Sequence, residues 1–188
     1  MSYFTDADAR SIIGTTYAKA YAETPAVAES LYAPDELGGL PSGAVALALG
    51  VGNPLRALDL RSGTIVLDVG CGAGIDTLIA ARRVAPGGRV LGLDMTPAMV
   101  ARAREHAALM GVENAEFHEA LMEALPFADA SVDVVVSNGT LNLSTRKSRA
   151  LAEMHRVLRA GGRLALADLV LTESLPEAIL RDPTALAA

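Results

Sequence analysis

IVLDVGCGAGIDTLIAARRVAPGGRVLGLDM, residues Ile65 to Met95, divides into five pieces. They are a strand (Ile65 to Val69), a glycine turn (Gly70, Gly72, Gly74), an apolar helix (Ile75 to Val84), a Pro-Gly-Gly break and a second strand ending at Asp94. The first strand is a nearly continuous apolar run, the pattern of a strand covered on both faces in a parallel sheet. A strand, turn, helix and strand in this order carry a ligand site of their own. Glycines let the backbone approach a bound molecule, and the following helix offers N–H groups with a partial positive charge. A carboxylate at the end of the next strand, about 20 residues on, suits ribose hydroxyls. The stretch therefore predicts a site for a nucleoside-containing cofactor, although a tight ligand-free turn would use the same glycines.

The spacing narrows the choice. A dinucleotide fingerprint needs G-x-G-x-x-G, whereas Gly70, Gly72 and Gly74 alternate and follow Asp68. This D-x-G-x-G-x-G order resembles the first motif of the class I S-adenosylmethionine (SAM) methyltransferases, whose loop meets the amino-acid part of SAM.

The chain of 188 residues is long enough for one domain with a sizeable core. Its hydrophobic fraction of 51% and mean hydropathy of +0.32 predict an unusually apolar surface region. Charged residues interrupt every apolar run well short of a membrane helix, so no membrane partner is expected. The polar, acidic start, MSYFTDADAR, gives no signal-peptide pattern and predicts a cytoplasmic protein. One cysteine excludes an intramolecular disulfide and a cysteine-cluster metal site. A net charge of −6 argues against a nucleic-acid partner, because phosphate binding needs clustered Lys and Arg.

On the N-terminal side, Thr5 to Glu23 reads as a helix capped by Thr5 or Asp6, with Tyr17 and Tyr21 on its apolar stripe. Short helical pieces follow at Ala26 to Tyr32, from Asp35, and at Gly43 to Leu49 with Ser42 as N-cap. Residues 1–60 are thus expected to form a helical lid and residues 61–188 a Rossmann-like core within one domain. On the C-terminal side, the expected elements are a helix Pro97 to Met110 closed by Gly111, a strand Ala115 to His118, and a helical turn Leu121 to Leu125. A buried strand Val132 to Ser137, a helix Arg146 to Leu158 and a fifth strand Arg163 to Leu171 complete the alternation. Strands alternating with helices imply an α/β fold of three layers with a mostly parallel sheet, and ligands beyond the carboxyl ends of its strands. The residues at those ends are Asp68 to Gly74, Asp94 and Met95, Asn138 to Thr140, and Asp168.

DVGCGAG, LGLDMTPAMVARAREHA, ALPFADASVDVVVSN and RVLRAGGRLALADLVL together resemble class I SAM methyltransferases over Ile65 to Leu171. LYAPDELGGLPSGAVALALGVGNP, LDMTPAMV, SNGTLNLS and LPEAILRDP are similar to segments of bacterial arsenite methyltransferases, from Leu31 onward. That resemblance implies SAM as cofactor. It implies that Asp68, Gly70, Cys71, Gly72 and Gly74 hold the methionyl end, that Asp94 takes the ribose hydroxyls, and that Met95 packs on adenine. Met122 would lie near the adenine edge and Asn138 near the methionyl group. Asp168 is the candidate for acid or base work, with a structural cap as its other reading; His106, His118 and His155 are weaker candidates, and Tyr17, Tyr21 and Tyr32 read mainly as packing residues.

Three departures qualify the resemblance. The family's G-C-G-N-P and S-N-C-V-I-N-L-S segments carry cysteines suited to soft trivalent arsenic, and here the positions are Val51 and Gly139. Cys71 alone cannot make a multi-thiolate site, so arsenite is not the expected substrate. Leu121 stands where the family usually has an acidic residue facing the adenine amino group, a loss of about 0.5–1.5 kcal/mol for one hydrogen bond. Finally, family members continue after the fifth strand with a helix and a hairpin, so the fold is expected to be truncated there. The apolar strand Leu164 to Leu171 would then be an open edge, covered by a second copy in a homodimer or by a partner chain. The sequence leaves three functions open: a SAM-dependent methyltransferase of a small molecule other than arsenite, a non-catalytic SAM-fold subunit that binds a partner or ligand, and a SAM-binding enzyme of a different reaction.

Overall fold

The computed structural model describes residues 4–20 and 24–186. Its centre is a five-stranded sheet of β1 (Ile65–Val69), β2 (Arg89–Asp94), β3 (Ala115–Glu119), β4 (Val132–Asn138) and β5 (Leu158–Ala167) in the order β3-β2-β1-β4-β5. Every neighbouring pair is parallel, so the expected three-layer α/β architecture is present and the sheet is parallel throughout. Strand order reverses between β1 and β4, and a crevice opens beyond the carboxyl ends of strands at such a point.

Alternation along the strands divides the core. Val66, Val134, Val136 and Ala165 face the layer that contains α5 (Ile75–Val84), where Ile79, Ala80 and Val84 are buried. Leu67, Val69, Leu91, Leu93 and Val135 face the opposite layer, where Met154 and Val157 of α7 (Lys147–Val157) are buried. Helix α6 (Pro97–Met110) packs Val100 and Ala103 against Phe117 and Leu78. Burying each of these larger aliphatic side chains contributes roughly 1.5–3 kcal/mol before chain entropy is subtracted. Proline in the first turn of α6 and Gly111 at its left-handed end (φ 68°) set its limits as expected.

Ahead of the sheet lie α1 (Asp6–Ala18), α2 (Ala26–Leu31), α3 (Pro34–Leu37), α4 (Ser42–Ala46) and a 3-10 turn at Pro54–Ala57. Thr5 caps α1 in a reciprocal box with Asp8. The helix ends at Ala18, short of Glu23; Tyr21 to Glu23 lie outside the described residues. Ser42 is the first helical residue of α4, with Pro41 in the cap position. Two later boundaries also differ from expectation. Leu121 to Leu125 is a turn, because the Leu125 N–H is taken by Glu153 (2.9 Å) and Pro126 follows. Strand β5 begins at Leu158 beside Val132, passes through Gly161 and Gly162 with a register shift, and ends at Ala167. Beyond it, α8 (Glu177–Leu180) leads to α9 (Pro183–Leu186), whose Leu186 packs on Ala9 and Ile13 of α1.

β5 pairs only with β4 among the described strands. Leu164 and Leu166 on it, and Leu169, Val170 and Leu171 after it, are exposed. No helix among the described residues is long and apolar enough to cross a membrane.

Candidate active site

The crevice at the β1/β4 reversal is a cleft with about 1030 Å³ of empty space, its open mouth included. Its floor is the loop Gly70 to Ala73 and the first two residues of α5, Ile75 and Asp76. Asp94, Met95 and Thr96 form one side, with Ala120 to Glu123 beyond them; Asn138, Gly139 and Thr140 form the other. Ala9, Arg10, Ile13 and Tyr17 of α1 roof it, with Leu47 and Leu49. The roof is tied down where the Thr145 hydroxyl donates to Asp6 (2.6 Å) and Arg146 pairs with the same carboxylate.

The loop is fixed by β2. Gly70 and Cys71 N–H groups donate to the Leu93 carbonyl (2.7 and 2.9 Å), and Gly72 N–H donates to Asp94 Oδ2 (3.0 Å). Asp94 Oδ1 accepts from Thr96 N–H (2.8 Å). Burial raises the Asp94 carboxyl above its ordinary range, against the pull of these donors. Two glycines are required for different reasons. Gly70 (φ 77°) lies against Thr140, where a Cβ would come within 2.3 Å of that side chain. Gly72 (φ 52°) has nothing within 4 Å of the place its Cβ would occupy, so its missing side chain leaves room on the cleft floor.

Not every expected site residue faces the cleft. Gly70, Cys71, Gly72, Asp94, Met95, Met122 and Asn138 line it; Asp68, Gly74 and Asp168 do not. Asp68 lies beneath the loop, fully buried, and accepts from the Thr77 hydroxyl (2.6 Å). Burial, then the neighbouring Asp76, raises its carboxyl. Gly74 is the left-handed cap of α5 (φ 96°). Cys71 has its sulfur among Leu78, Val100 and Phe117, where burial pushes the thiol up and away from the thiolate form. Asp168 sits just past β5 and accepts from Asn142 N–H (3.0 Å) and Leu169 N–H (2.8 Å), the geometry of a structural cap. His106 is buried with Nδ1 2.9 Å from the Ala73 carbonyl, His118 packs edge-on to Phe127, and His155 is exposed.

Asn138 is wholly committed within the protein. Its Oδ1 accepts from Val51 and Gly52 N–H (2.9 and 3.1 Å), and its Nδ2 lies near the Gly52 carbonyl (2.7 Å), Asp76 Oδ2 (3.0 Å) and the Tyr32 hydroxyl (3.1 Å). It thereby welds the Gly50 to Asn53 turn to the end of β4. Asp76 and Tyr32 carry no sequence signal beyond helix-end and packing patterns, and the structure brings them together at the cleft wall. Tyr17, read as packing, lines the cleft.

Val51 and Gly139, the two positions where the resemblance expects cysteines, meet across this wall: a Cβ on Gly139 would stand 3.5 Å from Val51 Cγ1. Leu121 lines the cleft beside Met122 with no acceptor to offer.

An arsenite methyltransferase of Halobacterium salinarum is 44% identical over 155 residues, covering 82% of this chain and 39% of the relative. A ubiquinone/menaquinone biosynthesis C-methyltransferase of a Marinomonas species is 41% identical, covering 64% of this chain and 47% of the relative. The crystal structure of an arsenic(III) S-adenosylmethionine methyltransferase from Chlamydomonas reinhardtii superposes with a TM-score of 0.70 and 35% identity, over 77% of this chain and 51% of that one. The chain thus spans about half, or less, of the length of these relatives. A family model described as a methyltransferase domain matches residues 60–188, and the chain belongs to that family.

Proposed function

We propose that this chain is the cofactor-binding core of a SAM-dependent methyltransferase acting on a small molecule other than arsenite. The observation that carries the reading is the tie between Gly72 and Asp94, which holds an open glycine floor and a strand-end carboxylate on one cleft. The cleft suits SAM on its own terms: Gly72 leaves space where a Cβ would intrude, and the Asp94 carboxylate, which lines the cleft, is an acceptor suited to a ribose hydroxyl.

In this reading Asp94 takes the ribose, Met95 and Met122 flank the adenine, and the Gly70 to Ala73 backbone carries the methionyl end. Asp68 acts one layer below by fixing Thr77 and the loop, and Asn138 by holding the wall. SAM, bound here, would supply a sulfonium methyl group for transfer to the acceptor, leaving S-adenosylhomocysteine. The protein contributes position and exclusion of water, and the α1 roof with Ile13, Tyr17, Leu47 and Leu49 serves that end. Val51 and Gly139 support a substrate other than arsenite, since neither offers a soft ligand.

A non-catalytic subunit is the second reading, favoured by Leu121, which leaves the adenine amino group without an acceptor there. Incubation with SAM and candidate acceptors separates the two: S-adenosylhomocysteine release supports the enzyme, and binding without turnover across acceptor classes supports the subunit. In either case we propose that a second copy or a partner chain covers the exposed β5 edge.

A further inference from the structure

The side of the cleft formed by Asn138, Gly139 and Thr140 is completed by the turn that follows α4. That turn passes over Gly139 at the carboxyl end of β4. The place of a Gly139 Cβ is 3.5 Å from Val51 Cγ1 and 3.6 Å from both the Gly50 Cα and the Leu49 carbonyl oxygen. Leu49 lines the cleft and is 49% exposed, and Val51 is 39% exposed. The next residue, Gly52, lies against the end of β5, where its Cβ would stand 2.8 Å from the Ala167 methyl. Leu169, Val170 and Leu171 follow Ala167 on the surface. Apolar side chains therefore continue from the cleft mouth to the end of the sheet.

The polar side chains of this wall are spent inside the protein. Asn138 gives its amide to the backbone of Val51 and Gly52 and to Asp76 and Tyr32. The Thr140 hydroxyl turns to the carbonyls of Asn138 (3.1 Å) and Gly70 (3.5 Å), and the Gly139 N–H donates to the Ala167 carbonyl (2.8 Å). Asp168 accepts from the N–H groups of Asn142 and Leu169. The wall thus leaves no side-chain donor free and shows aliphatic groups to whatever lies on it. A single exposed leucine needs no explanation. Aliphatic side chains left open at the mouth of a cleft, over polar groups that all point inward, mark a binding surface for hydrocarbon.

We propose that the methyl acceptor is an amphiphile whose hydrocarbon chain lies along Leu49 and Val51, with its nucleophilic end inside the cleft. This rests on the SAM reading above and names a substrate class for it. The charged residues of the lining stand elsewhere: Asp94 and Glu123 on the opposite side, Asp76 at the floor and Arg10 on the roof. The polar end of such an acceptor therefore points inward and its chain outward, toward the surface that Leu169 to Leu171 continue.

The test is calorimetric titration of the whole chain with S-adenosylhomocysteine and with two analogues of SAM in which a tertiary amine replaces the sulfonium. One analogue carries a methyl group on that nitrogen and the other an octyl group, which starts where the transferred methyl would be and extends into the acceptor side. The octyl compound is expected to bind about 15- to 60-fold more tightly than the methyl compound, the yield of two or three newly buried methylenes. Val51→Asp should bring this ratio close to one, with thermal unfolding confirming that the variant is folded. Val51→Thr, which keeps the shape and adds a hydroxyl, should lower the ratio by a smaller factor and carries the comparison if Val51→Asp does not fold. A wild-type ratio near one, with S-adenosylhomocysteine still bound, overturns the proposal and leaves the SAM reading standing. A ratio that the folded variants leave unchanged also overturns it. If the wild type binds none of the three compounds, the SAM reading itself is contradicted and the proposal falls with it.

Discussion

Gly72 N–H donates to Asp94 Oδ2 at 3.0 Å, joining the glycine loop to the end of β2 across 22 residues of sequence. The carboxylate that would read the ribose therefore also sets the shape of the loop that would hold the rest of the cofactor. Asp94→Ala should lower affinity for S-adenosylhomocysteine by more than about tenfold, because charge-assisted bonds and loop order are lost together. Titration calorimetry measures it; an unchanged affinity would remove Asp94 from the site.

Gly72 and Gly70 separate binding from folding. Gly72→Ala meets no atom within 4 Å, so its stability cost should be only the left-handed penalty of about 1–2 kcal/mol, while ligand affinity falls sharply as the methyl enters the cleft. Gly70→Ala meets Thr140 at 2.3 Å and should be the less stable of the two. Thermal unfolding of both variants, with and without ligand, checks the order.

The buried carboxylates predict an acid-stabilised protein. Asp68, Asp76 and Asp94 all have carboxyls raised by burial in the folded state. A raised folded value means that stability is fully present below the ordinary carboxylate pKa of about 3.9 and is lost as pH rises through the folded values. The paired Glu36 and Glu153, whose carboxyls are lowered, act oppositely, and only near and below that ordinary range. Between pH 5 and 8 the unfolding free energy of the ligand-free chain should therefore decrease as pH rises. Urea unfolding across this range tests it, and a flat or rising profile would contradict the assignment of unpaired buried carboxylates.

The edge strand carries its own prediction. Leu164 and Leu166 are 41% and 38% exposed on β5, which has one sheet neighbour. The chain should associate at micromolar concentration, and Leu164→Lys with Leu166→Lys should release monomers. A wild type that sediments as a clean monomer contradicts the covered edge.

Much of this was readable in advance because period and punctuation act locally. Ile65 to Val69, Ile75 to Val84 and Pro97 to Met110 stand where apolar runs, glycines and Pro97 place them, and the alternation of strands with helices pointed to the parallel sheet. The misplaced boundaries depended on distant partners. Leu125 is held out of a helix by Glu153, and Leu158 is drawn into a strand by Val132. The site shows the same division. Gly72 and Asp94 announce themselves by spacing, whereas Asp76 meets Tyr32 and Asn138 only after 44 and 62 residues of intervening chain are folded. Cys71 illustrates the converse: its loop position suggested chemistry, and the turn at Gly70 (φ 77°), after β1 ends, puts it into the cluster of Leu78, Val100 and Phe117.

The central claim, that this cleft binds SAM, is tested most directly by calorimetric titration of the wild-type chain with S-adenosylhomocysteine. The account predicts saturable binding at one site per chain that Asp94→Ala weakens; no heat at millimolar ligand would contradict it.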